Sequence, residues 1–69
     1  MNRYEIRIHS LLDPAWQETF AVEALEHDVE QGQTLLLGPL DQAQLQRVLN
    51  RIHDMGLKLI AVRMMEREQ

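Results

Sequence analysis

The sequence predicts a small α+β domain, because two kinds of hydrophobic periodicity alternate along it. Residues 3–10, 33–39 and 57–65 carry apolar residues in the alternating or continuous runs that are typical of β-strands. Residues 42–55 repeat apolar side chains every three or four positions, as an amphipathic helix does. The 69 residues are expected to form one domain, residues 1–69, whose core must be thin.

The first strand has one apolar face. Its apolar residues Tyr4, Ile6 and Ile8 alternate with Glu5, Arg7 and His9. Because successive side chains of a strand point to opposite faces, we expect one face to pack on a core and the other to meet water.

Residues 13–32 can be interpreted in two ways. Asp13 followed by Pro14 is a strong helix start, and the Ala, Glu and Leu residues that follow would let a helix continue to Gly32. The chain would then have the order β-α-β-α-β.

The second interpretation is a short helix followed by a strand. In one long helix, Glu23 and His27 would interrupt the apolar stripe that Trp16 begins. A short helix, a strand and a turn avoid this interruption, and they would lie at 14–19, about 21–28 and 30–32. The pattern alone leaves both interpretations open.

The long helix has clear boundaries. Asp41 is a good N-cap, and Gln44, three residues later, completes the pattern of a capping box. At the other end, Gly56 can adopt the left-handed conformation that closes a Schellman motif. The predicted helix, 42–55, has an apolar face of Leu45, Val48, Leu49, Ile52 and Met55 and a solvated face of Gln46, Arg47, Asn50, Arg51 and Asp54.

The last strand is apolar on both faces. One set of its residues, Leu57, Leu59, Ala61 and Met65, alternates with Ile60, Val62 and Met64. One long and one short helix can cover only one side of four strands, so we expect an apolar surface on the open side of the sheet. A bulge near Ala61 would decide which set faces the helix. We predict a homodimer or higher oligomer with a self-association face of Leu36, Leu59, Ile60, Ala61, Val62 and Met64.

Charge argues against nucleic-acid binding. The formal net charge is −4, and the span 8–46 has no Lys or Arg but holds seven of the eleven acidic residues. Nucleic-acid binding draws most of its affinity from phosphate neutralisation, which needs a concentrated basic patch. The acidic residues of this span therefore indicate only a solvated face.

The absence of cysteine bounds the cellular context. Without disulfides, a domain of this size commonly finds extra support in oligomerisation. The absence also fits a reducing compartment, and the N-terminus lacks the features of a secretory signal, so a cytoplasmic location is expected. No apolar run approaches the roughly 20 residues that cross a bilayer, and no membrane association is expected.

No catalytic, cofactor-binding or metal-binding residue is predicted. His9, His27 and His53 lack the short spacing that places two metal ligands on one face. Trp16 and Phe20, four residues apart on a short helix, are expected either to close the end of the core or to form the wall of a ligand or partner cleft.

The chain resembles a family of short bacterial proteins of unknown function. The residues that carry the resemblance are Tyr4, Leu12-Asp13-Pro14, Trp16, Phe20, Gly38-Pro39, Asp41-Gln42-Ala43 and Gly56-Leu57-Lys58-Leu59. The resemblance implies a ferredoxin-like β-α-β-β-α-β two-layer sandwich with a short first helix and a four-stranded antiparallel sheet. In its 4-1-3-2 strand order, the acidic second strand and the basic fourth strand lie at opposite edges. The segment 21–30 is more helix-prone than the family's second strand, and the resemblance implies no activity.

Two function classes follow. The first is a small homo-oligomeric interaction or regulatory domain without catalytic activity of its own, with a site for an unknown small ligand at a subunit junction. The second is a compact dimeric α/β-barrel-type enzyme with an active site between the sheet and its helices. The short length of the chain and its lack of a recognisable acid-base pair favour the first class.

Overall fold

Four strands and two helices make up residues 1–65, the part of the chain that the computed structural model describes. The elements are β1 Asn2–Ile8, α1 Trp16–Phe20, β2 Ala24–Asp28, β3 Gln33–Leu40, α2 Gln42–Asp54 and β4 Leu59–Met65. The interpretation with a short first helix is therefore confirmed. The alternative of one helix continuing to residue 32 is wrong, because the chain forms a strand, β2, where that helix would have continued.

The four strands form one antiparallel sheet in the order β2-β3-β1-β4. The central strands β1 and β3 pair with Ile6 opposite Leu36 and Ile8 opposite Thr34. The alternation expected in β1 places Ile6 and Ile8 on one side, where both are fully buried. Both helices contribute to the core on this side, which we call the helix side; the other is the open side. The buried apolar residues are Ile6, Ile8, Leu12, Phe20, Val22, Leu36, Leu40, Val48 and Ile52.

Helix α1 ends after one and a half turns because Ala21 leaves the helical conformation. Ala21 has φ 56° and ψ 43°, in the left-handed region, and its N–H bonds to the carbonyl of Glu18. The next residue, Val22, turns into the core. The predicted strand over 21–28 therefore begins later than expected, at Ala24, because three residues are needed to pass from the helix to the sheet.

The segment between α1 and β2 passes over Gly38, which explains why β3 has a glycine at this position. A Cβ on Gly38 would lie 2.8 Å from the Cβ of Glu23 and 2.9 Å from its backbone nitrogen. The φ of Gly38, 151°, is also one that other residues rarely adopt. Only glycine allows the chain to enter β2 this close to β3.

A buried threonine holds the corner between β1 and α1. Thr34 has no exposed surface; its hydroxyl donates to the carbonyl of Ser10 and accepts from the N–H of Leu12 at 2.9 Å. His27 also bonds through Nε2 to the carbonyl of Leu12. The corner then continues into Asp13, whose carboxylate accepts from the N–H of Ala15 at 2.8 Å. These bonds supply hydrogen-bond partners for the backbone N–H and C=O groups around the Leu-Asp-Pro segment, where β1 has ended.

Helix α2 has both predicted caps. Asp41 accepts from the N–H of Gln44 at 2.7 Å, and the Gln44 side chain accepts from the N–H of Asp41 at 2.8 Å. At the C-terminus, Gly56 has φ 71° and donates to His53, and Leu57 donates to Ile52. This pair of bonds is a Schellman motif. The capping box and the glycine stop are confirmed, and the helix ends at Asp54, one residue earlier than predicted.

Replacing Gly56 by alanine is expected to lower the free energy of unfolding by about 1 kcal/mol, because an L-side chain is strained in the left-handed region. A Cβ at this position would meet nothing within 4 Å, so no steric clash adds to the backbone strain, which is partly offset by the lower freedom of the unfolded chain. Urea denaturation measures it. D-alanine placed at position 56 by chemical ligation is the matched control, since it adopts positive φ without strain. A Gly56→Ala variant as stable as the parent would contradict the Schellman geometry.

The reverse substitution at the end of α1 is expected to stabilise the fold. Ala21→Gly removes the left-handed strain but increases the freedom of the unfolded chain, which leaves a net gain of up to about 1 kcal/mol. Ala43→Gly is the control, because Ala43 is an exposed residue within α2, where glycine destabilises. If both variants lost stability equally in thermal denaturation, Ala21 would not be left-handed in solution.

Candidate functional site

Strand β4 exposes apolar side chains along its whole length. Five of its seven residues are large hydrophobics with exposures of 38% or more: Leu59, Ile60, Val62, Met64 and Met65. One edge of β4 pairs with β1, and within residues 1–65 no strand pairs with the other edge. Exposed apolar surface and an unpaired strand edge therefore occur together.

The exposure of β4 arises because the helices cover the other three strands. Val62 pairs with Ile6 and Met64 with Tyr4, and paired residues of an antiparallel ladder point to the same face. Val62 and Met64 thus lie on the helix side, yet they are 38% and 59% exposed. None of residues 59–65 belongs to the buried core. The prediction that one set of β4 residues packs against a helix is therefore wrong, because both sets are accessible.

A β-bulge lies near Ala61, at the position that the sequence analysis considered. Ala61 pairs with Arg7, whereas Leu59 pairs with Ile8, so Ile60 is an extra residue in the ladder. The bulge brings Leu59 to the helix side, while Ala61 shares the open side with Arg7. The apolar surface of β4 therefore continues around the edge of the sheet.

The open side of the sheet is polar across its centre. Arg7 donates to Asp28 at 3.2 Å and to Gln33 at 3.0 Å, and it lies 3.3 Å from a carboxylate oxygen of Glu5. Glu5 also lies 4.0 Å from Arg63. These contacts link β1, β2 and β3 through partly buried polar groups and reach β4 through the exposed Arg63. Exposed large hydrophobics are concentrated on β4 and not in the middle of the open side.

One residue of the predicted self-association face, Leu36, lies inside the core. It has no exposed surface and pairs with Ile6 and Leu25 on the helix side. Its neighbours Leu35 and Leu37 point to the open side and are half-buried. Leu36 therefore has no surface to offer a second copy. The accessible part of that face consists of its β4 residues, Leu59, Ile60, Ala61, Val62 and Met64.

A groove lies between the end of α1 and the face of α2. Its floor is apolar, formed by Phe20, Leu40 and Val48, each at most 4% exposed. Arg47 and Arg51 stand at its rim, and the remaining lining residues are Thr19, Ala21 and Gln44. The groove has a volume of about 200 Å³. It combines a small apolar pocket with two cationic side chains.

The two aromatic residues predicted to form a cleft have different positions. The ring centroids of Trp16 and Phe20 are 6.2 Å apart and inclined by 44°. Phe20 is buried and forms part of the groove floor, whereas Trp16 is half-buried, packs against the core and lines a separate hollow beside Asp13. Phe20 serves both roles that were considered, since it closes the core and walls a groove.

Arg47 and Arg51 were predicted on the solvated face of α2, and both are exposed there. The groove was not predicted, because the approach of α1 to α2 is a tertiary contact. A local signal was present, however. No acidic residue stands three or four positions from Arg47, the spacings at which an opposite charge would stabilise the helix.

The three histidines are dispersed over β2, α2 and the end of β1. Among residues 1–65, no three His, Cys, Asp or Glu side chains are close enough to hold a metal ion. The helices in this part of the chain are also too short and too polar to cross a membrane.

Comparison with known proteins gives a family. Searches of the curated proteins and of the solved structures find no significant match to the chain. The model of one protein family, described as a domain of unknown function (DUF8691), matches residues 3–63, which include both helices, β2 and β3 entirely and most of β1 and β4. The chain therefore belongs to the DUF8691 family, which agrees with the resemblance to proteins of unknown function.

Proposed function

We propose that the protein is a small self-associating interaction domain without catalytic activity of its own, and that it dimerises through β4. The observation that carries the proposal is the exposure of five large hydrophobic residues on a strand whose outer edge is unpaired within residues 1–65. Exposed apolar edges are aggregation hazards in monomers and are stable when another strand covers them.

The partner is a second copy of the chain. Two β4 strands placed antiparallel about a two-fold axis would join the sheets and bring the same apolar residues together from both sides. Ten side chains, five from each copy with exposures between 38% and 59%, offer roughly 6–13 kcal/mol at about 1.5–3 kcal/mol for full burial. Association costs about 4–15 kcal/mol in lost freedom. The two amounts are comparable, so apolar burial alone does not give a tight dimer, and the backbone hydrogen bonds between the two β4 edges must add to it.

Pairing of β4 with β2 of a second copy is less favourable. Strand β2 is at the opposite edge and carries Glu26 and Asp28, whereas Lys58 and Arg63 are the cations of the β4 segment. Such a contact has charge complementarity, but it would bury the apolar surface of only one partner. It would also leave one edge of each copy free, so it would not form a closed dimer. Arg67, the third cation expected on the basic edge, lies outside the described residues.

We also propose that the fold is ferredoxin-like, that the protein is bacterial and that it is cytoplasmic, as the sequence led us to expect. The β-α-β-β-α-β order and the sheet order, β4-β1-β3-β2 when taken from the other edge, support a ferredoxin-like sandwich. Bacterial origin is supported by the resemblance and a cytoplasmic location by the absence of cysteine. The enzyme alternative needs a site between sheet and helices, and Ile6, Ile8 and Leu36 fill that space, which supports the non-catalytic class.

Val62→Lys is expected to convert the dimer into a folded monomer, because it places a charge in the proposed contact at a site already 38% exposed. Leu59→Lys should act in the same direction, since Leu59 is 42% exposed. Sedimentation at increasing concentration measures the assembly, and circular dichroism reports folding.

The matched control is Val29→Lys. Val29 is 73% exposed and lies in the turn between β2 and β3, so the same apolar-to-cation change there should leave the dimer intact. A parent protein that is monomeric at high micromolar concentration would overturn the proposal. Growth beyond a dimer that weakens with salt would instead indicate β4–β2 pairing.

A further inference from the structure

We propose that the groove between α1 and α2 binds a small aliphatic carboxylate, with its carboxylate between Arg47 and Arg51 and its hydrocarbon on the floor formed by Phe20, Leu40 and Val48. This site shares no lining residue with β4. It therefore goes beyond the proposed self-association and can be tested separately from it.

The first argument is that Arg47 and Arg51 have no ion-pair partner among the described residues. Within residues 1–65 there are five arginines, and three of them, Arg3, Arg7 and Arg63, lie within 4.0 Å of a carboxylate. Arg47 and Arg51 have no described carboxylate within that distance, not even Asp54, which stands three residues from Arg51. In an acidic chain of net charge −4, the two arginines without a described carboxylate are neighbours.

Their spacing is the second argument. Residues four apart on a helix have Cβ atoms about 5–6 Å from each other, and like charges at this spacing destabilise a helix slightly. The dipole of α2 compensates Arg51, which is in the last turn, but Arg47 lies near the middle of the helix. A bound anion between them would remove the repulsion. Guanidinium groups present forked N–H donors that match the geometry of a carboxylate.

The floor gives the ligand its second feature. Phe20, Leu40 and Val48 line the base of the groove, and because each is at most 4% exposed, the apolar surface that they offer is small; the exposed Ala21 adds to it. An inorganic anion has no hydrocarbon to place against this base. A carboxylate with a hydrocarbon body does, and most of its gain in free energy comes from burial of the ligand's own apolar surface.

Volume bounds the size of the ligand. The groove of about 200 Å³ is equivalent to roughly six or seven waters at about 30 Å³ each. This is smaller than the usual range for drug-sized ligands, about 300–1,000 Å³. A carboxylate of about five to seven carbons fits this volume. Thr19 at the rim adds a hydroxyl that can bond to a polar group next to the carboxylate.

The test is a titration of the ¹⁵N-labelled full chain with 4-methylpentanoate at constant ionic strength, followed by NMR. We expect saturable shifts of the amides of Thr19, Phe20 and Val48. Acetate lacks the hydrocarbon body, inorganic phosphate lacks it too, and 4-methylpentanamide lacks the charge. Each should bind at least tenfold more weakly. Comparable binding of acetate or phosphate would overturn the assigned ligand class, and shifts that are absent, not saturable or spread over the chain would overturn the site.

Variants locate the site. Arg47→Gln and Arg51→Gln should each weaken binding of 4-methylpentanoate severalfold, and the double variant at least tenfold, while circular dichroism stays unchanged because both side chains are exposed. The single variants decide the question should the double variant fail to fold. Arg63→Gln is the matched control, since Arg63 is also an exposed arginine but lies on β4 outside the groove. Equal losses in all three single variants would indicate a general charge effect and contradict the site.

The same titration separates this inference from the proposed dimer. Val62→Lys should bind 4-methylpentanoate as the parent does, and Arg47→Gln should sediment as the parent does. Loss of binding in Val62→Lys with retained fold would show that the groove needs the dimer and would contradict two independent sites.

Discussion

The limited reach of the helix layer is the constraint on which the rest of the structure depends. A helix of 13 residues and another of five must cover four strands. They bury the helix side of β1 and β3, together with part of β2, and their buried residues make no common core with β4. The free energy of apolar burial is therefore concentrated in one half of the molecule, and the opposite edge retains apolar residues whose burial needs a further surface.

The same constraint explains why α1 is short and why a groove lies beside it. Ala21 ends α1 in the left-handed region, and Glu23 passes so close to Gly38 that no side chain fits there. The chain thus descends from the helix layer to the sheet within three residues. Helix α1 ends before it can fill the space next to α2, and Phe20 and Val48 form the floor of the gap that remains. The groove and the exposed strand are two consequences of a helix layer that is too small for its sheet.

The sequence predicted those features whose signals are local. The capping box of Asp41 and Gln44 and the glycine stop at Gly56 are read within one helical turn, and both are present. Residues 21–28 were harder, because helix-prone residues there form a loop and a strand under tertiary packing. An exposed apolar set on β4 was expected, but the exposure of both sets could not be predicted, since an apolar pattern on both faces is typical of a buried strand. The groove beside Arg47 and Arg51 required the position of α1, which no local pattern contains.

The central claim is that β4 is the contact between two copies, and intermolecular NOEs test it most directly. A sample is mixed from chains with ¹³C-labelled Ile, Val and Met methyl groups and unlabelled chains, and isotope-filtered spectra then report only contacts between copies. The account predicts intermolecular NOEs that involve Ile60, Val62 and Met64 and none from Val29, which is exposed in the turn after β2. Intermolecular contacts confined to β2 or to the helices, or their absence at millimolar protein concentration, would contradict it.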